Sequence, residues 1–196
     1  MAKGTRMFSF DLMFQPLKRY FDFQGRARRS EYWLFYLFQF VVSMTLSLLQ
    51  SVGGWVAGLV AGINFIFALG ILIPAIAVGV RRFHDTNRTG LWLLFYPAVM
   101  IISLIVTLVV APEAVAQMGQ NFQNLDPTSF EANSAQANMA VYTAMAPIAP
   151  YVLLPTWLAS LVTFWFHVQD GTPTANRFGP DPKGRGVTAD VAQTFA

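Results

Sequence analysis

The densest polar run in this 196-residue chain is Arg81-Arg82-Phe83-His84-Asp85-Thr86-Asn87-Arg88-Thr89-Gly90-Leu91-Trp92. Its adjacent His84 and Asp85 suggest acid–base chemistry, but neighbours in sequence do not usually present their side chains to each other. No nucleophile is fixed beside them. His84 and His167 are the only histidines, with Asp85 and Asp170 next to or near them. Such a pair of histidines would need carboxylates to complete four metal ligands. With no cysteine, thiolate chemistry and disulfides are excluded. The expectation is therefore a structural or headgroup-facing role for this run, with no catalytic residue, cofactor or metal.

The elements that must position the run are apolar. Uncharged stretches cover approximately Trp33–Leu49, Ala57–Val80, Leu91–Ala111 and Pro147–Phe166. Each is long enough to cross about 30 Å of hydrocarbon, the first only just. All 13 Lys and Arg lie before the first stretch, between the second and third, or after the fourth, whereas the long third gap holds Glu113, Asp126 and Glu131. That bias places both ends of the chain on the cytoplasmic side. A soluble bundle would need a charged face on each helix, and none of the four has one.

The expected fold is all-α: a four-span transmembrane helical bundle with an N-terminal interfacial helix. Residues 1–32 read as a cytoplasmic basic arm, and 33–167 as the four-helix domain. The spans lie near 33–50, 56–80, 91–111 and 146–167, an outer loop covers 112–138, and 168–196 form a cytoplasmic tail. The first span begins too late to be a cleaved signal and reads as a retained anchor. Phe10, Phe14, Leu17 and Phe21 recur on one helical face, which suits a helix lodged between headgroup and acyl chain. The alternative is an irregular arm packed over the cytoplasmic ends of the bundle. Ser30 is a candidate cap for the first span.

Small residues suggest how the first two spans pack. Ser43, Ser47 and Ser51 recur every four residues on one, as Gly54, Gly58 and Gly62 do on the other. Facing strips of this kind let two helix backbones approach closely. Asn64, a lone amide deep in a span, reads as glue between helices. In the outer loop, Thr128 with Glu131 matches a capping box for a helix over 129–139.

Three segments carry a resemblance. Phe23-Gln24-Gly25-Arg26-Ala27-Arg28-Arg29-Ser30-Glu31-Tyr32-Trp33 resembles the opening signature of the DUF805 family, small bacterial inner-membrane proteins of undefined function. Arg81-Arg82-Phe83-His84-Asp85 with Thr89-Gly90-Leu91-Trp92 is similar to its central run. Asn176-Arg177-Phe178-Gly179-Pro180-Asp181-Pro182 is similar to its closing one. Phe83 stands where Leu is usual, and Trp92 falls one place late. The resemblance implies a multi-span protein of the bacterial inner membrane and supplies no catalytic residue.

Topology then brings the three segments to one side. Glu31, Asp85 and Asp181 can meet Arg26, Arg28, Arg29, Arg81, Arg82, Arg88 and Arg177 in one layer, with His84 and Asn176 among them. The expectation is a charge-paired cap whose spare arginines face anionic membrane lipids. A membrane protein partner or a second copy of the chain is the other expected partner, and nucleic acid is not one, since no binding fold is recognisable. A non-enzymatic role follows, with a small-solute transporter or channel component as the alternative and a lipid-headgroup enzyme behind it. Against transport, no charged residue lies within a span.

Overall fold

The computed structural model describes residues 10–125 and 135–185. Seven α-helices follow one another there: α1 (Asp11–Lys18), α2 (Arg29–Gln50), α3 (Gly54–Asp85), α4 (Phe95–Val110), α5 (Pro112–Gln123), α6 (Ala135–Met145) and α7 (Ala149–Val168). A short 3-10 turn, Gly90–Leu94, leads into α4. Four segments are long and apolar enough to cross a membrane: Arg29–Gln50, Gly54–Asp85, Gly90–Val110 and Ala149–Val168. The chain divides into two compact units, one running to Leu93 and resuming at Trp165, the other covering Leu94–Phe164. α7 passes from the second unit into the first.

In the first unit α2 and α3 are packed antiparallel neighbours, joined through Ser51–Gly53. Gly53 and Gly54 have φ of 82° and 60°, a backbone region that glycine enters without steric cost. The cluster between them contains Phe35, Val78, Tyr32 and Ala27, with Leu17 of α1, Phe38, Ile71 and Ala75 against it. Phe38 and Phe67 meet with ring centroids 6.2 Å apart.

Those rings correct the expected packing. Gly54, Gly58 and Gly62 are exposed, and nothing lies within 4 Å of where a Cβ would stand on any of them. Ser47 is exposed as well, and Ser43 is half-buried. Large aromatic and branched side chains on other faces hold the pair together, so the small-residue strips do not face each other. Asn64 is half-buried, with no hydrogen bond to another described residue. Nor does Ser30 cap α2, which begins one residue earlier after an extended Arg28.

The boundaries of α3 also differ from the expected span. The helix runs on through Arg81-Arg82-Phe83-His84 to Asp85, so the basic turn shrinks to Thr86–Thr89. Positive charge at a helix C-terminus suits the macrodipole, and burial of Phe83 adds apolar contact. The turn closes with Asn87 at φ 59°. Gly90 then passes so close to α3 that a Cβ would stand 2.6 Å from a methyl of Val80.

In the second unit α4 buries Ser103 and Thr107 by returning their hydroxyls to the carbonyls of Val99 and Ser103, each at 2.7 Å. Pro112 sits in the first turn of α5, where its missing N–H costs nothing. The connector expected as a loop over 112–138 thus contains a helix at its start, and α5 packs against α6. Thr128 and Glu131 lie outside the described residues, and the second helix of the connector is seen from Ala135.

Polarity is inverted relative to a water-soluble domain. Phe40, Phe65, Ile66 and Val109 are 63–75% exposed, while Arg81, Arg82 and Asp85 are at most 1% exposed. Apolar surface on that scale, carried by helices of spanning length, is a surface for lipid.

Candidate functional site: a buried charged centre

At one end of the first unit, the start of α2, the end of α3, the entry to α4 and the end of α7 come together. Ala27 docks the N-terminal arm there, its N–H donating to Arg81 O at 3.0 Å. This places Arg26 beside the last turn of α3. Its Nε donates to Asp85 Oδ1 at 2.9 Å. Its two Nη groups reach the backbone of the tail, at Thr172 O (2.6 Å) and Thr174 O (2.7 Å).

Arg82, on the other side, donates to Asp85 Oδ2 at 2.6 Å. The rest of its fork caps the end of α7: Nε donates to His167 O at 3.2 Å and Nη2 to Gln169 O. Each oxygen of Asp85 therefore has its own guanidinium, and each guanidinium also holds carbonyls of the segment after the fourth span. That segment returns the contact, since Thr172 N–H donates to Asp85 O at 2.9 Å. Helix ends leave carbonyls unpaired, and arginine supplies planar, multiple donors to them.

Space at this junction is fully used. A Cβ on Gly171 would stand 2.0 Å from Asp85 Oδ2. Only a residue without a side chain lets the tail pass the carboxylate.

A second buried pair lies alongside. Arg81 Nη1 is 3.0 Å from Glu31 Oε1, with both side chains nearly inaccessible. Asp181 stands 3.7 Å from Arg26 and is bonded within the tail by Lys183 N–H, Arg185 N–H and Arg185 Nε at 3.1, 3.1 and 2.8 Å. Burial alone would raise its pKa, but these donors prevail and hold the carboxyl down at about 2. Asp170 meets Lys183, Arg185 at 3.0 Å and Arg29 at 3.5 Å. Against the opposing effect of burial, those cations lower its pKa as well.

The rim is aromatic. His84 stacks on Phe178 at 3.8 Å with planes 3° apart, and its Nδ1 lies 3.1 Å from Gly25 O, so that nitrogen carries the proton. Asn176 donates to His84 O at 2.9 Å and accepts from Phe178 N–H, which fixes the tail's tight turn. Arg177 lies over Phe178 and donates to Asn87 O. Arg88 lies over Phe166 and donates to Gln169 Oε1. His167 stacks on Tyr32 at 4.4 Å.

The structure thus gathers Arg26, Arg82, Asp85 and Asp181 at one point, with Arg81–Glu31 beside it and Arg29, His84, Arg88, Asn176 and Arg177 around it. Arg28 is half-exposed, and its side chain makes no hydrogen bond or ion pair with a described residue, although its charge acts on Glu31. His84 and Asp85 turn to different neighbours and form no dyad. Among the described residues, no three His, Cys, Asp or Glu converge as metal ligands. Sequence reasoning missed Gln169, Gly171, Thr172 and Thr174. Three of these act through backbone carbonyls, which every residue type possesses, and one acts through an absent side chain.

The family model described as "Protein of unknown function (DUF805)" matches residues 20–180. Inner membrane protein YhaH of Escherichia coli K12 is 29% identical over 174 residues, covering 88% of this chain and 97% of that protein. Inner membrane protein YhaI of the same organism is 36% identical over 80 residues, covering 41% of this chain and 65% of that protein. No solved structure matches the chain.

Two predictions follow from the junction. Asp85→Ala leaves two buried guanidinium groups facing each other and lowers stability by about 3–5 kcal/mol, measured by thermal unfolding in detergent. Gly171→Ala also destabilises, but costs less in the Asp85→Ala background because its clash is with the carboxylate. The second concerns pH. A depressed carboxyl stabilises the fold fully above its ordinary value near 3.8 and loses that contribution as pH falls through about 2. Carboxyl-carbon NMR should show Asp181 titrating near 2; a midpoint near 3.8 would mean the tail is undocked.

Proposed function

The chain belongs to the DUF805 family, and from that premise we propose that it is a non-enzymatic protein of the bacterial inner membrane whose charged end rests on anionic lipid headgroups. Both termini lie on the cytoplasmic side in this reading. Three things support it: the names of the E. coli relatives, the four apolar helices, and the confinement of all 13 Lys and Arg to the N-terminal arm with the start of α2, the last turn of α3 with the turn after it, and the tail.

The observation that carries the reading is a division of labour among the cations. Arg26 and Arg82 are buried on the chain's own carboxylates and carbonyls, and Arg81 is buried beside Glu31. These are scaffold. Lys18 is exposed and Arg28 half-exposed, and neither side chain makes a hydrogen bond or ion pair with a described residue. These can meet phosphate.

Native mass spectrometry after gentle extraction tests this. Phosphatidylglycerol should be retained in preference to phosphatidylcholine. A basic residue near an anionic surface contributes about 1 kcal/mol, so Lys18→Gln with Arg28→Gln should cut that preference by about thirtyfold. Equal retention of the two lipids would reject the proposal, as would an unchanged preference in the double variant.

A further inference from the structure

α3 carries Pro74 in its interior, and Pro74 is buried. A proline has no N–H, so the carbonyl four residues earlier loses its helical donor. That carbonyl belongs to Gly70. Tyr20, fifty positions upstream, places its hydroxyl on it: Tyr20 Oη donates to Gly70 O at 2.5 Å. In hydrocarbon an unpaired carbonyl is costly, and a proline is tolerated in a span when a neighbouring group takes the freed acceptor.

The loop that presents Tyr20 is itself braced. Arg19 donates to Asp22 Oδ2 through Nε at 2.9 Å and Nη2 at 2.6 Å, and Gln24 N–H donates to Asp22 Oδ1. Immediately before it, α1 packs along α2 and α3. Phe14 meets Phe38 edge-on at 5.3 Å, and Leu17 lies against the cluster of Phe35 and Val78. Phe38 is nine residues into α2 from Arg29, about 14 Å along the helix, and Gly70 is eleven residues before Arg81, about 16 Å along α3. Two independent contacts place this segment inward of the buried arginines.

Its outer edge is apolar. Phe10 is 82% exposed, Phe21 71% and Phe14 41%, and Leu37, Phe40 and Leu69 on the two spans are exposed as well. Lys18, the last residue of α1, has a stem that carries its charge toward the headgroups.

We propose that α1 is inserted into one leaflet to the level of Phe38, and is held there by Tyr20 occupying the acceptor that Pro74 opens in α3. Its partner is the acyl chains of that leaflet. The helix adds cross-section to one half of the bilayer, at the end that carries the charged centre. This placement is independent of whether Arg28 and Lys18 select anionic lipid.

The chain has no native cysteine, so single cysteines carry a nitroxide without background. The protein is reconstituted in phosphatidylcholine–phosphatidylglycerol vesicles, and labels are placed at Phe10→Cys, at Phe40→Cys as a lipid reference and at Ala175→Cys as an aqueous reference. Collision with oxygen and with a water-soluble nickel chelate is read by electron paramagnetic resonance. The label at position 10 should resemble that at position 40. Tyr20→Phe should raise its aqueous-exposed fraction about fivefold, the change that one ordinary hydrogen bond gives. In the Pro74→Ala background, where Gly70 O regains a backbone donor, Tyr20→Phe should change little.

A label at position 10 that resembles position 175 in the unsubstituted background overturns the insertion. An unmoved label in Tyr20→Phe overturns the latch, and so does an equal effect with and without Pro74. Should Pro74→Ala not fold, Tyr20→Phe alone decides.

Discussion

The Asp85 carboxylate, with one guanidinium on each oxygen, is the contact on which the first unit depends. Arg26 arrives from the arm before the first span, and Arg82 from one turn earlier in α3. Both then reach past the carboxylate to carbonyls of the tail, Arg26 to Thr172 and Thr174 and Arg82 to Gln169, and Arg82 also holds His167 in the last turn of the fourth span. Three segments far apart in sequence meet at one side chain. Without its negative charge, two cations would share a site closed to water. Without either arginine, the tail would lose the donors that hold its backbone.

Such a centre is costly on its own. Burying two charges removes solvation worth several kcal/mol per ion, and Coulomb attraction offsets it only with good geometry and further hydrogen bonds. Here the further bonds are present, since the forks of Arg26 and Arg82 are filled by carbonyls that would otherwise lack partners. The surroundings explain why an ionic core is used at all. In lipid, apolar contact gives helices little reason to associate, since acyl chains are as apolar as leucine. The chain accordingly turns phenylalanine and isoleucine outward and places its polar groups where segments must be identified and joined. Tyr20 on Gly70 O repeats this logic at a neutral site.

Much of this architecture was legible in the residues. Runs of uncharged residues located the spans, and the sign of the charges between them put arm, turn and tail at one end, as contacts such as Arg29 Nη1 to Val168 O show. That Glu31, Asp85 and Asp181 would meet arginines followed from the same argument. Which arginine meets which acid did not. Pairing depends on how α3 continues to Asp85, whereas its hydrophobicity ends at Val80 and carries no sign of the extra turn. The glycine strip on α3 was misleading for a related reason. Spacing alone gives a face but not what the face meets, and here the space beside Gly58 and Gly62 is open. Gly171 had no outward sign, because its role is the room it leaves for a carboxylate from another helix.

Whether the junction opens as one unit can be read by amide hydrogen exchange in the membrane-embedded, unsubstituted protein. The N–H of Ala27 reports docking of the arm on Arg81 O, and that of Thr172 reports docking of the tail on Asp85 O. If Asp85 joins both, the two amides should share one opening free energy and respond together to denaturant. A Thr172 amide that exchanges freely while Ala27 stays protected would contradict the account, because arm and tail would then be held separately.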